Sequence, residues 1–111
     1  MSYAFAMPML PGTEEAGRQF IKDLLGPRKS EYDDLQRRQG VTAERYFIQS
    51  SPDGALFLVS GEGTFADPAT FLDPEGNPFD RWFIETIETL SGVNMLEIGG
   101  ETAEFLGEWK P

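Results

Sequence analysis

The chain has 111 residues, with 19 Asp plus Glu against 9 Lys plus Arg, no Cys and no His, giving a formal charge of −10 and a pI near 4.3. One domain fits that length, and 40% apolar with 13% aromatic residues supply a core without disulfides, which argues against disorder. The missing residue types remove thiolate nucleophiles, iron–sulfur sites, Cys- or His-ligated metal and haem, and imidazole bases, while the acidity argues against nucleic acid and anionic membranes, which select clustered Lys and Arg.

In chain order, Tyr3 to Met9 alternates large and small residues at period two and reads as a strand, with Pro8 marking its end or an edge. Pro11-Gly12-Thr13 then opens a helix whose positive N-terminus is complemented by Glu14 and Glu15, with an apolar stripe of Ala16, Phe20, Ile21, Leu24 and Leu25. Gly26-Pro27 breaks or kinks it, and a second helical piece carries Tyr32 and Leu35 to a stop at Gly40. Val41 to Gln49 and Ala55 to Ser60 form a hairpin about Ser50-Ser51-Pro52-Asp53-Gly54.

The stretch from Gly61 to Pro78 is rich in Gly, Pro and Asp, and Asp67-Pro68 and Asn77-Pro78 each place a capping residue before a proline suited to a first helical turn. Phe79, Trp82, Phe83, Ile87 and Leu90 predict a further amphipathic helix ended by Ser91-Gly92. Val93 to Ile98 is expected to be a last strand, followed by a tail from about residue 100 whose Phe105, Leu106 and Trp109 need a docking surface. Residues 1–50 carry seven acids and seven bases, whereas residues 51–111 carry twelve acids against Arg81 and Lys110, so the entire net charge belongs to the second half.

This order of elements predicts a single α+β domain of ferredoxin-like βαββαβ type, with a four-stranded antiparallel sheet and helices on one face. The continuously apolar Ala55 to Val59 asks for cover on both faces, which predicts a homodimer. On these grounds, and on Y-A-F-A-M-P-M, R-R-Q-G-V-T-A-E-R-Y-F-I-Q and F-D-R-W-F-I-E-T-I, the chain resembles the dimeric α+β-barrel proteins over nearly its whole length. That resemblance implies two ferredoxin-like subunits packed sheet against sheet around a space that binds small ligands. The superfamily includes cofactor-independent monooxygenases, haem-degrading enzymes and chlorite-dismutase-like proteins; this chain departs from it in its Gly/Pro insert and in lacking the histidine of many haem-binding members.

No catalytic residue is assigned, and neither a metal nor a cofactor is expected. Glu44, Tyr46 and Ile48 share one strand face and Val41, Ala43, Arg45 and Phe47 the other. With the second set against the helices, Glu44 and Tyr46 would point between the paired sheets and, with Ile48, Phe5 and Trp82, form a candidate ligand-binding set in which Glu44 is the base of a monooxygenase-like or isomerase-like reaction. The competing reading pairs Glu44 with a neighbouring Arg and uses Tyr46 and Trp82 for packing. Gly61-Glu62-Gly63-Thr64-Phe65-Ala66 matches a dinucleotide fingerprint formally, but Glu62 puts negative charge in the anion cradle and too few strands remain. Asp73-x-Glu75-Gly76-Asn77 misplaces the glycine of a calcium loop.

With no basic n-region, and with Met1 to Thr13 the longest uncharged run, too short for the ~20 residues of a spanning helix, the expectation is a cytoplasmic protein. The alternative function is a non-enzymatic interaction or structural protein that uses its acidic second half as a recognition surface.

Overall fold

In the computed structural model, which describes residues 1–111, the alternating segments form three antiparallel strands, β1 (Ser2–Met9), β2 (Val41–Ser51) and β3 (Gly54–Gly63), ordered β1-β3-β2. The apolar run Ala55 to Val59 lies in the central strand, as its two-sided hydrophobicity requires. Four helices complete the chain: α1 (Glu14–Leu25), α2 (Lys29–Gln39), the single turn α3 (Pro68–Phe71) and α4 (Pro78–Ser91).

The helix boundaries follow local chemistry. The break between α1 and α2 falls at Gly26-Pro27, and Gly40 ends α2 in the left-handed region at φ 82°. Asn77 accepts from the amides of Phe79 (3.0 Å) and Asp80 (3.2 Å) at the start of α4, with Pro78 in the first turn. The long helices pack on one sheet face, where Phe20, Leu24, Leu35, Phe79, Phe83 and Ile87 form the centre of the core. From the α1 stripe, Phe20 and Leu24 are buried, whereas Ala16 and Leu25 face solvent.

Two expectations are corrected. Residues Val93 to Ile98 do not form a fourth strand: Val93 N bonds Ser91 Oγ (3.1 Å), Leu96 N bonds Asn94 Oδ1 (2.9 Å) and Glu97 N bonds the Asn94 carbonyl (3.0 Å), so amides that a ladder would need are used locally. Met95 instead enters the core, and β1 remains an edge that meets the tail at one amide, Ala103 N on the Ala4 carbonyl (2.6 Å).

The second correction concerns the faces of β2. Tyr46 lies opposite Val59, itself opposite Phe5, and this row faces the helices. Phe47 lies opposite Leu58 on the outer face and is 52% exposed. Polarity alone favours the reverse, but α2 brings the polar groups of Tyr32 and Gln36 over β2, so Glu44 and Tyr46 find partners inside. The outer face, with Ala4, Ala6, Pro8, Leu56, Leu58 and Phe47, has no covering element. The tail does not supply one, since Phe105, Leu106 and Trp109 are all exposed. No helix is long and apolar enough to cross a membrane.

Candidate functional site

The site is built on Glu44, and the chain's three tyrosines all reach it. Tyr3 of β1 donates to Glu44 Oε2. Tyr32 of α2 and Tyr46 of β2 place their hydroxyls 3.0 and 2.9 Å from Oε1 and 2.7 Å from each other. Gln36, one turn along α2 from Tyr32, donates to Oε1 (2.7 Å) and to the Tyr32 hydroxyl (2.9 Å). Glu44 makes no ion pair, which removes the reading that a neighbouring Arg neutralises it.

Gly61 permits this convergence. It faces Tyr3 across the β1–β3 ladder, and a Cβ there would lie 2.5 Å from both the Tyr3 hydroxyl and the Ala43 carbonyl. The glycine of the apparent dinucleotide motif therefore makes room for a phenol, and the only helix that follows the motif closely is the four-residue α3. Phe65, in the same motif, adopts φ 50°, and its ring lies against Tyr3 (4.4 Å between centroids) and Phe5 (5.2 Å). A bulky residue in the left-handed region costs on the order of 1–2 kcal/mol, which the stacking on two rings offsets.

Burial raises the pKa of all three phenols, most simply because their anions would lose water, and Glu44 adds repulsion in each case. Tyr3, Tyr32 and Tyr46 are thus held protonated and act as donors around one carboxylate.

Of the cluster, Glu44, Tyr32 and Tyr46 line a cavity of about 60 Å³ between helices and sheet, against the roughly 10–15 Å³ that one ordered water needs. Fourteen of its 19 lining residues are apolar, including Phe20, Leu24, Phe57, Val59 and Phe83, while Phe65 and Pro68 bring the Gly/Pro-rich segment to its rim. The lining contains two carboxylates, Glu44 and Glu101, and no Lys or Arg. A separate groove between α2 and β2 is lined by Tyr32, Gln36, Glu44 and Tyr46.

From the candidate set, Phe5, Glu44 and Tyr46 meet at the cavity. They do so between sheet and helices, not on the outer face. Ile48 and Trp82 are not among its lining residues: Ile48 faces a shallow groove beside Phe47, and Trp82 lies under the Arg28 guanidinium at 4.1 Å. Tyr3, Tyr32 and Gln36 escaped the sequence reading as site residues. Their available signal was spacing, since Tyr32 and Gln36 are one helical turn apart and Glu44 and Tyr46 share a strand face.

Away from the cavity, Arg38 holds the Gly/Pro-rich segment in place. Its guanidinium forms a two-pronged pair with the fully buried Asp80 (2.8 Å each), meets Asp34 (2.9 Å), and donates to the Phe71 carbonyl (2.9 Å). Asp80 also accepts from the Asp73 amide (2.9 Å). The Asp73 side chain closes its own turn on the Gly76 amide (3.0 Å), and no group of three or more acidic residues is placed to hold a metal ion.

No protein-family model matches the chain, and no curated protein is significantly similar to it. Its fold is similar to that of an L-rhamnose mutarotase from Formosa agariphila, whose crystal structure superposes with a TM-score of 0.63 over 99% of both chains at 15% sequence identity. The likeness is one of fold, spanning the whole chain, and it supports the α+β arrangement with helices on one face of an antiparallel sheet.

Proposed function

We propose that this chain is a small-molecule-binding protein with isomerase-like, proton-relocating chemistry, its ligand held between helices and sheet and its outer sheet face paired with that of a second copy. The observation that carries the reading is Glu44, a carboxylate bonded only to neutral donors at the wall of an apolar cavity. A carboxylate placed there can take a proton from a bound ligand, and a phenol beside it can return one to the same ligand.

The geometry supports a short proton circuit. The Glu44 carboxylate takes a proton from a ligand O–H or acidic C–H; Tyr46 gives its own to a second ligand atom; and the 2.9 Å contact between the two side chains lets the proton on Glu44 restore Tyr46. Mutarotation of a reducing sugar, the reaction named for the structural neighbour, is one member of this class, because it removes a proton from the anomeric hydroxyl and delivers one to the ring oxygen.

Methyl NMR tests the binding half: fragments that enter the cavity shift the methyl signals of Ile21, Leu24, Val59 and Ile87 saturably, and a diverse fragment set that leaves these signals unmoved would refute it. Exchange NMR on L-rhamnose tests the chemistry. Faster interconversion of its anomers with the wild type than with Glu44→Gln supports the mutarotase-like member, and equal rates remove that member.

A further inference from the structure

The hydrogen-bonding inventory of the cavity constrains what it can hold. Around Glu44 the donors are already committed: Tyr3 to Oε2, the two Gln36 amide hydrogens to Oε1 and the Tyr32 oxygen, and the single protons of Tyr32 and Tyr46 within the triangle their hydroxyls form with Oε1. Acceptors are left over. Glu44 Oε2 accepts a single hydrogen bond although a carboxylate oxygen takes two, and Glu101 adds a second carboxylate to the lining.

The charge inventory leans the same way. Two carboxylates and no cation line the cavity, so an anion entering it finds no charge partner. Aromatic rings from Phe5, Phe20, Tyr46, Phe57, Phe65 and Phe83 cover much of the remaining wall, and their faces attract positive charge.

We infer that the ligand class of this cavity is a small ammonium compound, an amine with a compact apolar body, whose N–H groups fill the open acceptors at Glu44. The inference rests on the proposed binding role and narrows it away from polyols, the mutarotase-like member included. An ammonium brings three donors and no acceptor, matching a carboxylate whose neighbouring donors are all committed to it or to one another. A polyol brings acceptors that the apolar wall leaves unpaired, each at a cost of about 1–3 kcal/mol.

Three molecules of one shape test this in the full chain by methyl NMR and calorimetry: benzylamine, benzyl alcohol and benzoate, with an aldohexose as the polyol arm. Benzylamine is expected to shift the signals of Ile21, Leu24, Val59 and Ile87 and to bind about ten-fold or more tightly than benzyl alcohol, as a charge-assisted bond exceeds a neutral one, while benzoate leaves the signals unmoved. In Glu44→Gln the advantage of the amine falls to within about two-fold, whereas Tyr46→Phe, which keeps the carboxylate, retains a preference for the amine. Should Glu44→Gln fail to fold, the wild-type series and Tyr46→Phe still decide.

Equal binding of amine and alcohol, or tighter binding of benzoate or the hexose, overturns the ammonium class and leaves the binding role standing. An amine advantage that survives in folded Glu44→Gln also overturns it, by assigning the preference to the acidic surface. If neither these four compounds nor the fragment set moves the cavity methyls, both readings fall.

Discussion

Three phenols around one carboxylate make the residue-scale chemistry of this protein sensitive to alkali. Each tyrosine ionises near pH 10 in an unfolded chain and higher in the fold, so the folded state keeps protons that the unfolded state releases. The stability contributed by this difference is fully present below about pH 10 and is lost as pH rises toward the folded values, at up to about 1.4 kcal/mol per pH unit for each phenol. Since the chain has only these three tyrosines, tyrosinate absorbance reports on this cluster alone. We expect ionisation to coincide with unfolding, and Tyr46→Phe to flatten the fall of the urea midpoint above pH 10. Independent ionisation of three exposed-like tyrosines would contradict the buried cluster.

At Gly61 the prediction is steric: Ala would press on the Tyr3 hydroxyl and the Ala43 carbonyl at once. We expect Gly61→Ala to cost about 1–3 kcal/mol in urea unfolding and to displace Tyr3 from Glu44. Little of this was legible beforehand. Glu44, Tyr46 and Phe5 stood out as residue types on strands, but Tyr3 and Tyr32 read as apolar-face residues, because nothing local shows where a hydroxyl at the end of a ring will land.

At the scale of elements, the reading was most secure where local chemistry is self-sufficient. The Gly26-Pro27 break, the Ser51–Gly54 hairpin end and the Asn77-Pro78 start of α4 all depend on residues within one turn of the feature. It failed at Val93 to Ile98, where Asn94 and Ser91 side chains compete for the amides a strand would use. The placement of α3 and the Phe65 loop depends on a distant pair, Arg38 of α2 and Asp80 of α4. Asp80→Ala leaves that guanidinium and the Asp73 amide without their shared partner. We expect a loss of about 3 kcal/mol, at the low end for broken buried pairs because Arg38 keeps Asp34, read as a lower urea midpoint with an unchanged slope.

For the whole molecule, the outer sheet face is the feature that a single chain leaves unresolved. Leu56 and Phe47 are 43% and 52% exposed there, and Arg45, on the same face, is the one arginine without an acidic partner within 4.0 Å. On the proposed pairing, Phe47→Glu introduces like charges across the interface. We expect light scattering to give the mass of two chains for the wild type and one for Phe47→Glu, with the variant's intrinsic unfolding free energy within about 0.5 kcal/mol of that of the wild-type monomer. A wild-type monomer at micromolar concentration, or a variant that stays dimeric, would rule out pairing through this face. The acidity of the second half is also partly organised at this scale: Asp80 is consumed internally, while Glu101 stands at the cavity.

The amino-acid sequence by itself determined the order of elements as far as Ser91, the helix breaks and caps, the central apolar strand and the absence of thiol and imidazole chemistry, because these follow from composition and from interactions within a few residues. Only the tertiary structure decided which face of β2 turns inward and hence where the candidate site lies. Alternation assigns residues to two faces without saying which is the inside. That choice was made by α2, whose Tyr32 and Gln36 give Glu44 and Tyr46 the hydrogen bonds that let a carboxylate sit half-buried without a cation.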